Sequence, residues 1–203
     1  MALEPEQRVA VIDLGSNSFR MVVFAPTAGS WKQVDERSSA VRIGEGMASS
    51  GRLSDTAMKR ALETLETFTA LCERQELGEQ AVDAVATSAI REAENGCEFL
   101  DLVRLRTGLD VRVLSREQEA RYGYLAAVNS TTLSDGCVLD LGGGSLQLVR
   151  VAGRLARESG SWRMGAVRMT ERFLADPGPA KRGQLKALQA HVQRKLERAP
   201  WLR

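Results

Sequence analysis

Two aspartates, Asp13 and Asp140, each close an apolar run and precede a short turn of glycine and small polar residues. The first stretch reads V-A-V-I-D-L-G-S-N-S and the second C-V-L-D-L-G-G-G-S. Residue types in that order suit anion chemistry. Glycine lets backbone N–H groups converge on one anion, and small polar side chains at Ser16, Asn17, Ser18 and Ser145 add donors without bulk. A carboxylate beside such a nest can hold a hydrated Mg²⁺ or orient a water. One copy alone is an ordinary hairpin turn. Two copies say more, because two hairpins facing each other over a cleft could clamp a chain of phosphates.

The elements that must position these residues follow from hydrophobic spacing. Arg8 to Phe24 reads as strand, polar break, strand: a hairpin. A further strand is expected around Trp31–Arg37. Ser54 and Asp55 open a helix whose apolar positions Ala57, Met58, Ala61, Leu62, Leu65, Phe68 and Leu71 keep helical spacing to near Gly78. Val82–Thr87 reads as a short buried strand, 95–106 as a helix stopped by Gly108, Val111–Leu114 as a strand and Arg116–Asn129 as a helix. The hairpin pattern then returns at Cys137–Val151. Its distance from the first copy is far too long for a solenoid repeat and right for two structurally related domains. The polar run 129–135 is the expected boundary, giving domains at 8–130 and 131–203. The second begins with a hairpin and continues with a strand near Ser161–Gly165 and a short helix at Val167–Phe173. A break at Asp176-Pro177-Gly178-Pro179 precedes a basic helix at Lys181–Arg198.

Composition narrows the class. Of 203 residues, 43% are hydrophobic and 27% charged, as in an ordinary globular protein, and a formal net charge of +2 provides no global field to recruit nucleic acid or anionic lipid. Cys72, Cys97 and Cys137 are odd in number and widely spaced, and His191 is the single histidine. A disulfide framework and a zinc site are both poorly supported, and a cytoplasmic setting is expected. Neither a signal peptide nor an apolar span of ~20 residues is evident. His191 reads as a solvated helix residue, Cys137 as a small core residue, and the basic stretch 181–198 as a charged helix face.

The motifs V-A-V-I-D-L-G-S-N-S-F-R, R-I-G-E-G-M, V-A-T-S-A-I-R-E-A, L-S-R-E-Q-E-A-R, D-L-G-G-G-S and G-A-V-R-M-T-E-R-F occur in order over about Arg8 to Pro179. Together they resemble the exopolyphosphatase / guanosine pentaphosphate phosphohydrolase family of the actin–hsp70–sugar kinase superfamily. The resemblance implies an α/β fold of two ribonuclease-H-like domains, with mixed sheets flanked by helices. It also implies hydrolytic removal of terminal phosphate from polyphosphate or guanosine pentaphosphate, assisted by Mg²⁺ or another divalent cation. Glu119 matches the family's catalytic glutamate, where a carboxylate would take a proton from the attacking water. Glu117 is the neighbouring alternative. Arg91 matches the phosphate-binding arginine, whose fork fits two phosphate oxygens; its alternative is a surface ion pair with Glu92 or Glu94. Arg20 has the weaker claim. Ser16, Asn17, Ser18, Gly142, Gly143, Gly144 and Ser145 would bind phosphate, with Asp13 and Asp140 at the metal. The expected partners are polyphosphate or the alarmone, with neither nucleic acid nor membrane, and a homodimer is compatible with the pattern.

The sequence departs from the family at two places. The usual pattern is G-G-G-S-x-E, but position 147 is Gln, which brings no negative charge to a metal and no base at neutral pH. Family members also continue beyond this length, so the second domain is expected to be incomplete, either as a fragment or as a natural remnant. Both departures keep open a rival reading: a module that binds polyphosphate or an alarmone without turning it over. A kinase of the same superfamily is disfavoured by the E-A-R and S-A-I-R motifs.

Overall fold

The computed structural model describes residues 8–174 and 178–202. The expected break at 176–179 therefore lies partly outside the described residues. The chain divides into two compact units, Met1–Val113 and Leu114–Arg203.

In the first unit, β1 (Val9–Leu14), β2 (Phe19–Thr27) and β3 (Ser30–Ser39) form an antiparallel meander. β4 (Val82–Ala86) and β5 (Val111–Val113) add in parallel on the other side, giving the order β3-β2-β1-β4-β5. β1 is thus flanked on both edges, and alternation buries Ala10, Ile12 and Leu14 completely. α1 (Met47–Ser50) is a single turn, and α2 (Asp55–Arg74) begins at Ser54, whose side chain accepts a hydrogen bond from the Ala57 N–H. The α2 face Ala57, Ala61, Leu62, Leu65, Phe68 and Cys72 enters the core with Phe19, Met21, Phe99 and Val103. The expected helical stripe is therefore present, with Cys72 added and Met58 and Leu71 at its margin. α3 (Ser88–Glu92) and α4 (Gly96–Thr107) follow β4, and Gly108 ends α4 in the left-handed conformation at φ 72°.

In the second unit, β6 (Gly136–Leu141), β7 (Leu146–Ala152) and β8 (Leu155–Trp162) form an antiparallel sheet in that order. α5 (Arg116–Ser130) packs against all three strands, which places it and Glu119 in the second unit. The compact unit that holds α5 begins at Leu114, and the polar 129–135 segment leads from α5 into β6 within it. β8 begins earlier than the expected 161–165 strand and fills the space opposite β7.

α6 (Ala166–Phe173) and α7 (Arg182–Leu196) cover Leu146 through Met164, Met169, Phe173, Leu188, Val192 and Leu196. Two expectations change here. Cys137 is exposed rather than in the core, because β6 lies at the edge of its sheet and most of its residues face solvent. His191 is buried, at 5% exposure, because it turns inward from α7 to meet Phe173 with ring centroids 5.3 Å apart.

Burial, with Arg172, Arg194 and Lys195 nearby, pushes the His191 pKa down. The folded protein therefore disfavours the imidazolium that the unfolded chain accepts below about pH 6.5. Stability from neutral His191 is fully present above that value and falls as acid is added, until the lower folded pKa is passed. Thermal unfolding from pH 7.5 to pH 5 should show a loss of Tm that is reduced in His191→Gln. Equal pH slopes for the two proteins would contradict the assignment.

Candidate functional site

The two hairpins share one construction. Asp13 pairs with Arg20 and Leu14 with Phe19, while Asp140 pairs with Gln147 and Leu141 with Leu146. Each hairpin is therefore closed by a loop of the same length, Gly15–Ser18 or Gly142–Ser145. The internal repeat read in the sequence is a repeat of structure.

In both units the loop carbonyls are tied back to a supporting segment. In the second unit, the Ala166 N–H donates to the Gly142 carbonyl at 2.8 Å and the Arg168 N–H to the Gly143 carbonyl at 3.2 Å. The Arg168 side chain donates through Nε to the Gly144 carbonyl at 3.1 Å. The first-turn N–H groups of α6, which no helical carbonyl can satisfy, are thereby used on the loop. None of the described peptide bonds is cis, so the N–H following each carbonyl points the opposite way. The N–H groups of Gly143, Gly144 and Ser145 consequently face away from α6 as three successive donors. In the first unit, the Gly44 N–H donates to the Ser16 carbonyl at 3.0 Å and the Arg42 N–H to the Asn17 carbonyl at 2.7 Å. This turns the N–H groups of Asn17 and Ser18 outward.

Two of the sequence motifs are the supporting segments. R-I-G-E-G-M backs the first loop, and G-A-V-R-M-T-E-R-F backs the second. Gly165 shows how closely: a Cβ there would lie 2.4 Å from the backbone of both Gly143 and Gly144. A glycine preceding the expected α6 was the available signal, but only the fold shows what it touches.

The side chains separate into groups. Ser16 turns inward, with its Oγ 2.9 Å from Ser88 Oγ and accepting from the Ala89 N–H at 3.1 Å. Its hydroxyl thus joins the first loop to α3, the helix that carries Arg91. Asn17 is exposed and donates through Nδ2 to Ser18 Oγ at 3.3 Å. Arg91 is half-buried, while Glu94, one of its expected alternatives, lies 3.6 Å from Arg52. Arg20 meets Glu36 at 2.7 Å on the exposed side of the sheet.

α5 begins with a capping box in which Ser115 Oγ accepts from the Gln118 N–H and Gln118 Oε1 accepts from the Ser115 N–H. Glu117 accepts from Ser115 Oγ at 2.8 Å, at its own helix end. Glu119 instead reaches the loop, where its Oε1 accepts from Ser145 Oγ at 3.0 Å. Of the two glutamates, the hydrogen bonds bring Glu119 to the loop. One turn further along α5, a Cβ at Gly123 would lie 3.2 Å from Asp140 Oδ2, so the absence of a side chain there makes room for that carboxylate.

Asp13 and Asp140 are both exposed, one in each unit. Among the described residues no group of three or more His, Cys, Asp and Glu could hold a metal ion. Each aspartate is by itself an oxygen donor of the kind Mg²⁺ takes, since that ion keeps several waters and binds through one or two carboxylates plus phosphate oxygens.

Gly165→Ala should force the second loop from its position, since backbone atoms cannot yield as a flexible side chain would. Overpacking of this kind costs about 1–3 kcal/mol, so Tm should fall. Gly183→Ala, on α7 with nothing within 4 Å, should leave Tm unchanged or raise it slightly. Scanning calorimetry of both variants checks this, and an unaltered Tm in Gly165→Ala would contradict it.

Comparison with known proteins places the chain. The model of the Ppx/GppA phosphatase family matches residues 22–202. A Ppx/GppA family member from Aquifex aeolicus is 34% identical with a TM-score of 0.74, over 95% of this chain and 62% of that one. An exopolyphosphatase from Cytophaga hutchinsonii is 25% identical with a TM-score of 0.88, over 96% of this chain and 62% of that one. This chain thus spans less than two thirds of the length of either. The PilM–PilN type IV pilus biogenesis complex, at 12% identity and a TM-score of 0.56 over 94% of this chain and 76% of that one, is similar in fold alone. The fold is the mixed α/β architecture of the actin-like ATPase superfamily. Among the described residues, no helix is long and apolar enough to cross a membrane. By sequence and fold together, the chain belongs to the Ppx/GppA phosphatase family.

Proposed function

We propose that the protein hydrolyses phosphoanhydride bonds, releasing the terminal phosphate of inorganic polyphosphate or guanosine pentaphosphate. The observation that carries this reading is Glu119 hydrogen-bonded to Ser145, at the end of a loop whose N–H groups point away from α6. Convergent backbone donors suit phosphate oxygens, and a carboxylate beside them suits a proton acceptor.

In this reading the N–H groups of Gly143, Gly144 and Ser145 bind the terminal phosphoryl group. The Glu119 carboxylate, held through Oε1 by the Ser145 hydroxyl, takes the proton of the attacking water. A new P–O bond forms as the bridging P–O bond breaks, and the shortened chain leaves with the bridging oxygen. Arg91 and the Asn17–Ser18 loop of the first unit are assigned as further phosphate contacts on the strength of the family resemblance. Asp140 beside the second loop, and Asp13 in the same place beside the first, are the carboxylates that would each suit a hydrated Mg²⁺, which when bound would neutralise phosphate charge.

Gln147 favours a second reading, binding without turnover, because the family's usual acidic residue is absent there. Release of phosphate from long-chain polyphosphate with and without Mg²⁺ separates the two readings. If hydrolysis occurs, Glu119→Gln should lower kcat by the ~10²–10⁴-fold of a lost general base while affinity holds or rises. Arg91→Ala should weaken binding as well as turnover. Unchanged turnover in Glu119→Gln would remove Glu119 from the role of base.

A further inference from the structure

Gln147 occupies an unusual place for an amide. It is 2% exposed, it stands on β7 two residues after Ser145, and it pairs across the sheet with Asp140. Alternation along β7 sends Ser145 and Gln147 to the face covered by α5, and Leu146 to the face covered by α6 and α7. Gln147 Nε2 donates to Ser145 Oγ at 2.9 Å, and Ser145 Oγ donates to Glu119 Oε1 at 3.0 Å.

Chemistry dictates the direction of this chain. An ionised carboxylate only accepts, so the single hydroxyl hydrogen of Ser145 goes to Glu119. The group meeting the far side of that hydroxyl must then be a donor. An amide provides one; a carboxylate does not. Ser145 is itself 4% exposed, so water has little access to replace either contact.

We propose that Gln147 is a positioning residue for Glu119, acting through Ser145. Its amide commits the Ser145 hydroxyl to Oε1 and so holds the glutamate in one orientation. This rests on the reading of Glu119 as the base. It reverses the simplest meaning of the departure from G-G-G-S-x-E: here the amide serves the site as built, and a glutamate at 147 would compete with Glu119 for one hydrogen.

The test uses the full chain with long-chain polyphosphate and Mg²⁺. Gln147→Met keeps volume and removes the donor. It should lower kcat by about 10- to 10²-fold with KM within roughly twofold, as expected for a misplaced catalytic group. In the Ser145→Ala background the same change should have no further effect, because the relay is already cut. Gln147→Glu should also lower turnover. Additive losses, or a gain in Gln147→Glu, would overturn the proposal. A readout independent of catalysis is the Gln147 side-chain amide signal in ¹H–¹⁵N spectra, identified by its loss in Gln147→Met. It should move in Ser145→Ala; a signal indifferent to Ser145 overturns the relay whatever the turnover. A signal that moves as expected in a chain without hydrolysis upholds the relay and counts against Glu119 as the base.

Discussion

The site depends on where the loop carbonyls go. A peptide unit carries its acceptor and its donor on opposite sides, so a loop can present N–H groups outward only if something behind it takes the C=O groups. In the second unit that support is the first turn of α6 together with the Arg168 side chain; in the first it is the Arg42–Gly44 segment. The two supports are unrelated in structure, one a helix start and the other an irregular segment with Arg42 at φ 52°. They solve the same problem.

The rest of the second unit is arranged around that support. Leu146 and Met164 immediately follow Ser145 and precede Gly165, and both are buried in the cluster formed with Met169 and the residues of α7. The apolar contacts therefore grip the two chain segments just outside the point where loop and helix touch. α5 approaches from the other face, with its capping box fixing the helix start and Glu119 one residue beyond the box.

Much of this was legible in the sequence. The duplicated D-L-G turn predicted two equivalent hairpins, and helical spacing predicted α2 and its buried stripe. What the sequence could not express was partnership. Nothing local distinguishes Ser16, whose hydroxyl turns into the first unit, from Ser145, whose hydroxyl meets Glu119; the difference is which helix lies across each loop. The polar run 129–135 marked the loop between α5 and β6, but nothing in it told that α5 packs on β6–β8. His191 among basic neighbours on α7 read as solvated, because helical periodicity alone did not reveal that Phe173 would cover it. Cys137 read as buried because its strand is apolar, whereas β6 stands at the edge of its sheet.

The role proposed for the second loop, presenting backbone donors to phosphate, can be read by titrating the ¹⁵N-labelled protein with tripolyphosphate. Saturable shifts of the Gly143, Gly144 and Ser145 backbone amides, exceeding those of residues on α7, are expected. Shifts confined to the basic residues of α7, with the three loop amides unmoved, would contradict it.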